Sequence, residues 1–331
     1  MTHSNLYTGL SQSDITLQIE RLVLSIERHD TPAFRFHRTR SDHERTFLSR
    51  YFKDIRQMVN LFQHDYPYQY SEHLRAFWEA CQGIGLERGT QGPVCLNESA
   101  TAYLDHQRSM NALVERIRQL TGEQWYRRPN GDRRQQAKEN GLRVCSYTDA
   151  LIGRYSRTLI IRVNLYYYQT VQLRLRVERV FEDLDRLIAE HERNPIFNHL
   201  LGYICAVEQG DDRGYHIHAA YFFNGNEVCR DIHKAQQIGD LWVRTTQGQG
   251  YFDSCNQDKE KKYGKKKQSQ EQEQEQEVEK QRELGIGMIF RKDEKVRPHV
   301  HYAMRYLVKD AQQVRLKPMR ARCLRMGQTI R

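Results

Sequence analysis

Two β-branched and aromatic runs, Tyr203–Gln209 (YICAVEQ) and Tyr215–Phe223 (YHIHAAYFF), flank the turn segment Gly210-Asp211-Asp212-Arg213-Gly214. Runs of this composition around a glycine-bounded turn read as an antiparallel hairpin. That hairpin constrains fold and chemistry together. Strand side chains alternate between faces, so His216 and His218 project to the same side. If the turn spans 210 to 214, residue 209 pairs with 215 and 208 pairs with 216. Directly opposed residues share a face, so Glu208, His216 and His218 converge. Two imidazoles and a carboxylate can hold Mn²⁺ or Mg²⁺ and leave positions open for phosphate oxygens. An H-x-H pair on an exposed sheet face is common by itself, and the convergence is conditional on the inferred turn.

The elements around the hairpin extend it into a domain. Thr158–Tyr168 (TLIIRVNLYYY) has strand composition. Val177, Val180, Phe181, Leu184, Leu187 and Ile188 recur at helical spacing before Pro195. After the hairpin, Asn224-Gly225-Asn226 is a turn leading to a helix from about Glu227 to Val243. The order β-α-β-β-α predicts an α+β domain over 151–331: a ferredoxin-like antiparallel sheet with helices on one face. A low-complexity insertion at 257–283, lysines followed by alternating Glu and Gln, lacks apolar residues to pack and reads as a solvated helix or a disordered segment.

The first 145 residues differ in texture. Ile15, Ile19, Leu22, Val23 and Ile26 form a helical stripe after a cap at Ser13. Further stripes run through Phe47–Phe62, Leu74–Cys81 and Tyr103–Leu120, the last stopped by Gly122. An all-helical N-terminal region is expected. Tyr126–Gly141, with Pro129-Asn130-Gly131, reads as a solvated linker or a DNA-facing loop. The net charge of +10 favours a polyanionic partner, and Arg315, Lys317, Arg320, Arg322, Arg325 and Arg331 lie in a C-terminal tail without an acid. No apolar run approaches a membrane span and no signal pattern opens the chain, so the expected location is the cytoplasm, with no membrane partner. The seven cysteines include no C-x-x-C pair, which argues against a disulfide framework or a zinc ribbon and for free, mostly buried thiols.

Pro298 is expected to start a last helix running to about Asp310. On it, Tyr302 and Tyr306 stand at i, i+4, and Tyr306 and Lys309 at i, i+3, so all three can share a face. A tyrosine that attacks DNA phosphate stores the bond energy as phosphotyrosine, and a nearby cation favours its phenolate. The spacing equally suits ordinary packing. His299-Val300-His301 is a second H-x-H, but at a helix start residues two apart diverge by about 200°. It reads as a surface or DNA-facing pair, not a ligand pair.

Taken in order, an acid, H-hydrophobic-H on a strand and Y-x-x-K on a later helix resemble the HUH endonuclease superfamily of rolling-circle replication initiators. Within it the chain is similar to the filamentous-phage (inovirus) gene II-type replication proteins and prophage relatives with a YagK/YfjJ C-terminal domain. The similar segments are IIRVNL (160–165), GYHIHAAYFFNG (214–225), IGDLW (238–242), GYFDSCN (250–256), GIGMI (285–289) and YLVKD (306–310), within about 155–325. The resemblance implies that Glu208, His216 and His218 bind Mg²⁺ or Mn²⁺, that Tyr306 is the nucleophile with Lys309 beside it, and that Tyr302 is a candidate second nucleophile. It implies a site-specific nickase and strand transferase acting on single-stranded DNA or a DNA origin through a 5′-phosphotyrosine. Host helicase and polymerase are the partners of such a role. Asn164 falls in the first motif, where Asp is as much expected as Asn. The alternatives are a transposase or relaxase with the same chemistry, a prophage DNA-binding regulator that no longer cuts, and a two-His-one-carboxylate oxygenase.

Overall fold

A computed structural model of the chain describes residues 9–36, 43–63, 66–88, 92–257, 285–308 and 313–328. The insertion at 257–283, apart from Gln257, lies outside the described residues, as do Lys309 and Arg331. The chain divides into two compact units. One comprises Met1–Arg133, Gln172–Val177 and Arg315–Ala321; the other comprises Arg134–Val171, Glu178–Val314 and Arg322–Arg331.

The first unit is built on helices α1 (Gln12–Arg28), α2 (Ile55–Asn60), α3 (Glu72–Gly83) and α4 (His106–Thr121). The α1 stripe buries Ile15, Ile19, Leu22, Val23 and Ile26 as its spacing predicts. Its cap is Ser11 rather than Ser13. Ser11 accepts from Asp14 N while Asp14 reaches back, a reciprocal capping box. The stripe at Phe47–Phe62 splits, with a 3₁₀ segment Phe47–Asp54 preceding α2.

This unit is not all helical. Among the described residues it carries three short antiparallel ladders: β1 (Phe34–Phe36) with β2 (His43–Arg45), β4 (Glu87–Arg88) with β5 (Pro93–Val94), and β3 (Tyr68–Tyr70) with β11 (Leu316–Pro318). None exceeds three residues, which is too short for alternation to register in a sequence. The basic C-terminal stretch is therefore partly structural. Arg315 pairs with Glu20 at 3.0 Å.

Helix α5 (Gln124–Arg154) replaces the loop expected at Tyr126–Gly141, with Pro129 inside it. The Gln-, Lys-, Glu- and Arg-rich run after Gly131 has high helix propensity, and the Pro-Asn-Gly signal gives way to it.

The second unit is mixed α and β. All pairings in its six-stranded sheet are antiparallel, in the order β10 (Gly287–Phe290), β6 (Arg157–Tyr167), β8 (Gly214–Asn224), β7 (Leu200–Gly210) and β12 (Leu324–Met326). Strand β9 (Gly250–Ser254) pairs with the far half of β6. The β7–β8 hairpin holds Gln209 opposite Tyr215 and Glu208 opposite His216, the register the turn implied.

Helices cover both faces of this sheet rather than one. One face carries Ile160, Ile204, Ala220 and Phe222. It packs with Val144, Tyr147 and Leu151 of α5 and with Val300, Ala303 and Met304 of α9 (Arg297–Arg305). On the other face, Tyr167 donates to Asp183 of α7 (Val177–Ala189), and its ring meets Trp242 of α8 (Asp231–Thr245). A short turn, α6 (Gln169–Gln172), follows β6. The sequence order could not show the second helical layer, because half of it comes from the far end of α5. In the C-terminal stretch, β12 joins the sheet and Arg325 pairs with Asp185 at 3.2 Å.

The segment Gly250–Asn256 has a structural account. Strand β10 borders β6 at 157–160 and β9 borders it at 163–167. The Asn256 side chain spans the gap, accepting from Arg162 N at 2.8 Å and donating to Ile160 O at 2.9 Å. Phe252 lies against Gly239 of α8, where an added Cβ would stand 2.3 Å from the ring. Gly285 similarly admits the backbone of α9: a Cβ there would be 2.1 Å from His299 O. Among the described residues no helix is long and apolar enough to cross a membrane.

Candidate metal centre and nucleophile

Glu208, His216 and His218 converge as the hairpin register requires. Their ligand atoms all lie within 4.8 Å of one another, and all three side chains are buried. Glu208 Oε2 is 3.1 Å from His218 Nε2 and 3.8 Å from His216 Nε2.

The rest of each imidazole is held from behind. His216 Nδ1 donates to Gly214 O at 3.0 Å, and His218 Nδ1 donates to Asn164 Oδ1 at 2.5 Å. A carbonyl or amide oxygen can only accept, so Nδ1 carries a proton in both rings, and in the neutral ring the Nε2 lone pair faces Glu208. The amide of Asn164 is oriented in turn, its NH₂ facing Asp253 Oδ2 at 3.5 Å and Cys255 Sγ at 3.4 Å. Partners of this kind behind a histidine are the usual outer layer of a metal site.

Burial pushes His216 down to about 4, with the neighbouring His218 adding to the effect, so His216 is neutral at ordinary pH. Neutral imidazole nitrogens and a carboxylate oxygen thus converge on one point. The donor set fits a divalent ion: three protein ligands, mixed nitrogen and oxygen.

Tyr306 stands next to this cluster. Its ring is 5.9 Å from that of His218 between centroids and nearly perpendicular to it. Arg162 lies under the same ring, its Cζ 4.7 Å from the centroid, and donates to Ala303 O at 3.1 Å. Arg162 is 1% exposed. Sequence reasoning passed over it, although a lone charge inside the apolar run TLIIRVNL was a visible signal. Its strand position puts it on the same face as Asn164 and His218.

Tyr302 does not share this environment; it is 68% exposed. Tyr306 N–H still bonds Tyr302 O, so the two stand one helical turn apart at the end of α9, but Tyr306 is half-buried against His218 whereas Tyr302 is exposed. Tyr306–Val308 is a 3₁₀ turn with a different angular step. The second H-x-H is no ligand pair either: His301 Nε2 meets Asp149 Oδ1 at 2.9 Å, a carboxylate that also binds Arg297.

The seven cysteines are thiols outside any disulfide, and five are buried. Compared with known proteins, the chain matches no family model, no curated protein and no solved structure.

Proposed function

We propose that this chain is a metal-dependent nickase of single-stranded DNA, of the HUH rolling-circle initiator type, that cuts and rejoins through Tyr306. The observation that carries the reading is the placement of Tyr306 against His218, one member of a buried Glu-His-His set whose Nε2 lone pairs converge. On this reading the second unit is a ferredoxin-like nicking domain.

Glu208, His216 and His218 would hold Mn²⁺ or Mg²⁺. When bound, the ion supplies Lewis-acid polarisation of a non-bridging phosphate oxygen. The chain's own residues do the rest. Asn164 and Gly214 O fix the tautomers that keep both Nε2 atoms available. Tyr306 loses its hydroxyl proton, its oxygen bonds to phosphorus, and the P–O3′ bond breaks. The products are a 5′-phosphotyrosine and a 3′-hydroxyl that takes up a proton and can prime synthesis. Reversal by a 3′-hydroxyl rejoins the strand without ATP. The Arg162 guanidinium beneath the ring favours a developing phenolate and holds Tyr306 in place.

A two-His-one-carboxylate oxygenase uses similar donors, but it has no role for a tyrosine seated on a ligand imidazole over a buried arginine. A relaxase or transposase shares the chemistry and differs in its DNA target. The test is incubation with circular single-stranded DNA and Mn²⁺. A covalent protein–DNA band that maps to Tyr306 and disappears with EDTA is expected. Absence of any adduct under these conditions, with DNA binding intact, would remove the catalytic reading.

A further inference from the structure

The metal-site face continues into a ladder of aromatic rings that none of the chemistry above uses. Tyr166 lies 5.6 Å from His216 between ring centroids. Tyr251, directly opposite Tyr166 in the β6–β9 register, stacks on it at 5.2 Å and 28°. Tyr168 stacks on Tyr251 at 5.2 Å and 30°. The Arg213 guanidinium sits over the Tyr166 ring at 4.5 Å. Exposure rises along the ladder: Tyr166 is 6% exposed, Tyr251 half-buried and Tyr168 49% exposed.

Here three near-parallel rings lead from solvent to the wall of a candidate phosphate-cleaving centre, with a cation at the inner end. Flat, stackable, sequence-tolerant surfaces beside cationic groups are what unpaired nucleobases bind. A double-stranded ligand has no free base faces to offer.

We propose that Tyr168, Tyr251 and Tyr166, with Arg213, form a docking track for unpaired nucleobases next to the phosphate that reaches Glu208, His216 and His218. Tyr168 offers the outer stacking face, and Tyr251 and Tyr166 hold that ring in orientation. The proposal rests on the single-stranded DNA reading of the same site, and it adds the subsite that grips the strand.

The test uses the full chain with EDTA and a fluorescent mixed-sequence deoxyoligonucleotide, its abasic counterpart, and a duplex of the same sequence. Tyr168→Ala and Tyr251→Leu should each weaken binding of the ordinary strand about 5- to 100-fold, with Tyr168→Trp restoring it. Wild type should bind the abasic strand more weakly than the ordinary one, and the same variants should leave that weaker affinity unchanged. Phe290→Ala, an exposed aromatic away from the ladder, serves as the control. Unaltered affinity in both variants, or equal losses for ordinary and abasic strands, overturns the track. Cleavage with Mn²⁺ is scored separately. Stacking-dependent binding without any cleavage would remove the nickase and keep the track; normal cleavage with no stacking dependence would do the reverse.

Discussion

Replacing Asn164 by Leu isolates the least visible part of the site. Leucine has the same branched shape and heavy-atom count, so the sheet face stays filled while Oδ1, the acceptor 2.5 Å from His218 Nδ1, is removed. The proton on Nδ1 then has no acceptor in a buried position, a loss worth about 1–3 kcal/mol. The ring has an alternative. With the proton on Nε2 it can donate to Glu208 Oε2, already 3.1 Å away. That tautomer directs an N–H, not a lone pair, at the metal position, and a cation must reverse it before binding. Histidine partners of this kind generally change metal affinity 10- to 100-fold, which matches about 1.4–2.7 kcal/mol. Titration calorimetry with Mn²⁺ should show a dissociation constant weaker by that factor, with a thermal midpoint in EDTA close to wild type. A folded Asn164→Leu protein that binds Mn²⁺ within twofold of wild type would refute the tautomer argument.

Three further outcomes are expected. His216→Ala with His218→Ala should abolish nicking while retaining most affinity for single-stranded DNA, and EDTA should do the same reversibly; gel assays of cleavage and anisotropy of binding report the two separately. Tyr306→Phe should eliminate the covalent adduct, whereas Tyr302→Phe, altering a side chain 68% exposed and away from the site, should cleave normally; peptide mass spectrometry that finds the nucleotide on Tyr302 would reverse the assignment. The metal-free protein should lose stability in acid. His216 is held near 4 when folded and titrates near 6.5 when unfolded, so the unfolded chain takes up the proton first. Stability therefore falls as pH drops from about 6.5 to about 4, by at most about 3 kcal/mol from this group. Urea denaturation at pH 7.5 and 5 should show the slope, and His216→Phe should reduce it.

Much of the site was legible because it is local. The hairpin turn lies only a few residues from Glu208 and His216, and strand alternation is strict, so the convergence of Glu208, His216 and His218 follows from period and register alone. The stripe of α1 and the strand at β6 were legible for the same reason, since a helical or alternating pattern is a property of consecutive residues. Which tyrosine meets the cluster was not: Tyr302 and Tyr306 stand one turn apart, only Tyr306 packs on His218, and Lys309 lies outside the described residues. The helix was expected to run to about Asp310, and it gives way to a 3₁₀ turn at Tyr306–Val308.

What only the tertiary structure decided is what distant segments bring to that local frame. Asn164 reaches His218 because β6 pairs with β8, a partnership 54 residues apart in the chain. Asp253 and Cys255 orient its amide from a third strand, and Asn256 mends the gap between two short strands bordering β6. Arg162 comes under Tyr306 only when α9 packs on the sheet, and Tyr251 meets Tyr166 only through the β9 register. Sequence periodicity specifies which side chains share a face of one element. Which faces meet is settled by burial of the whole apolar surface, including the far end of α5, and no local pattern encodes that choice.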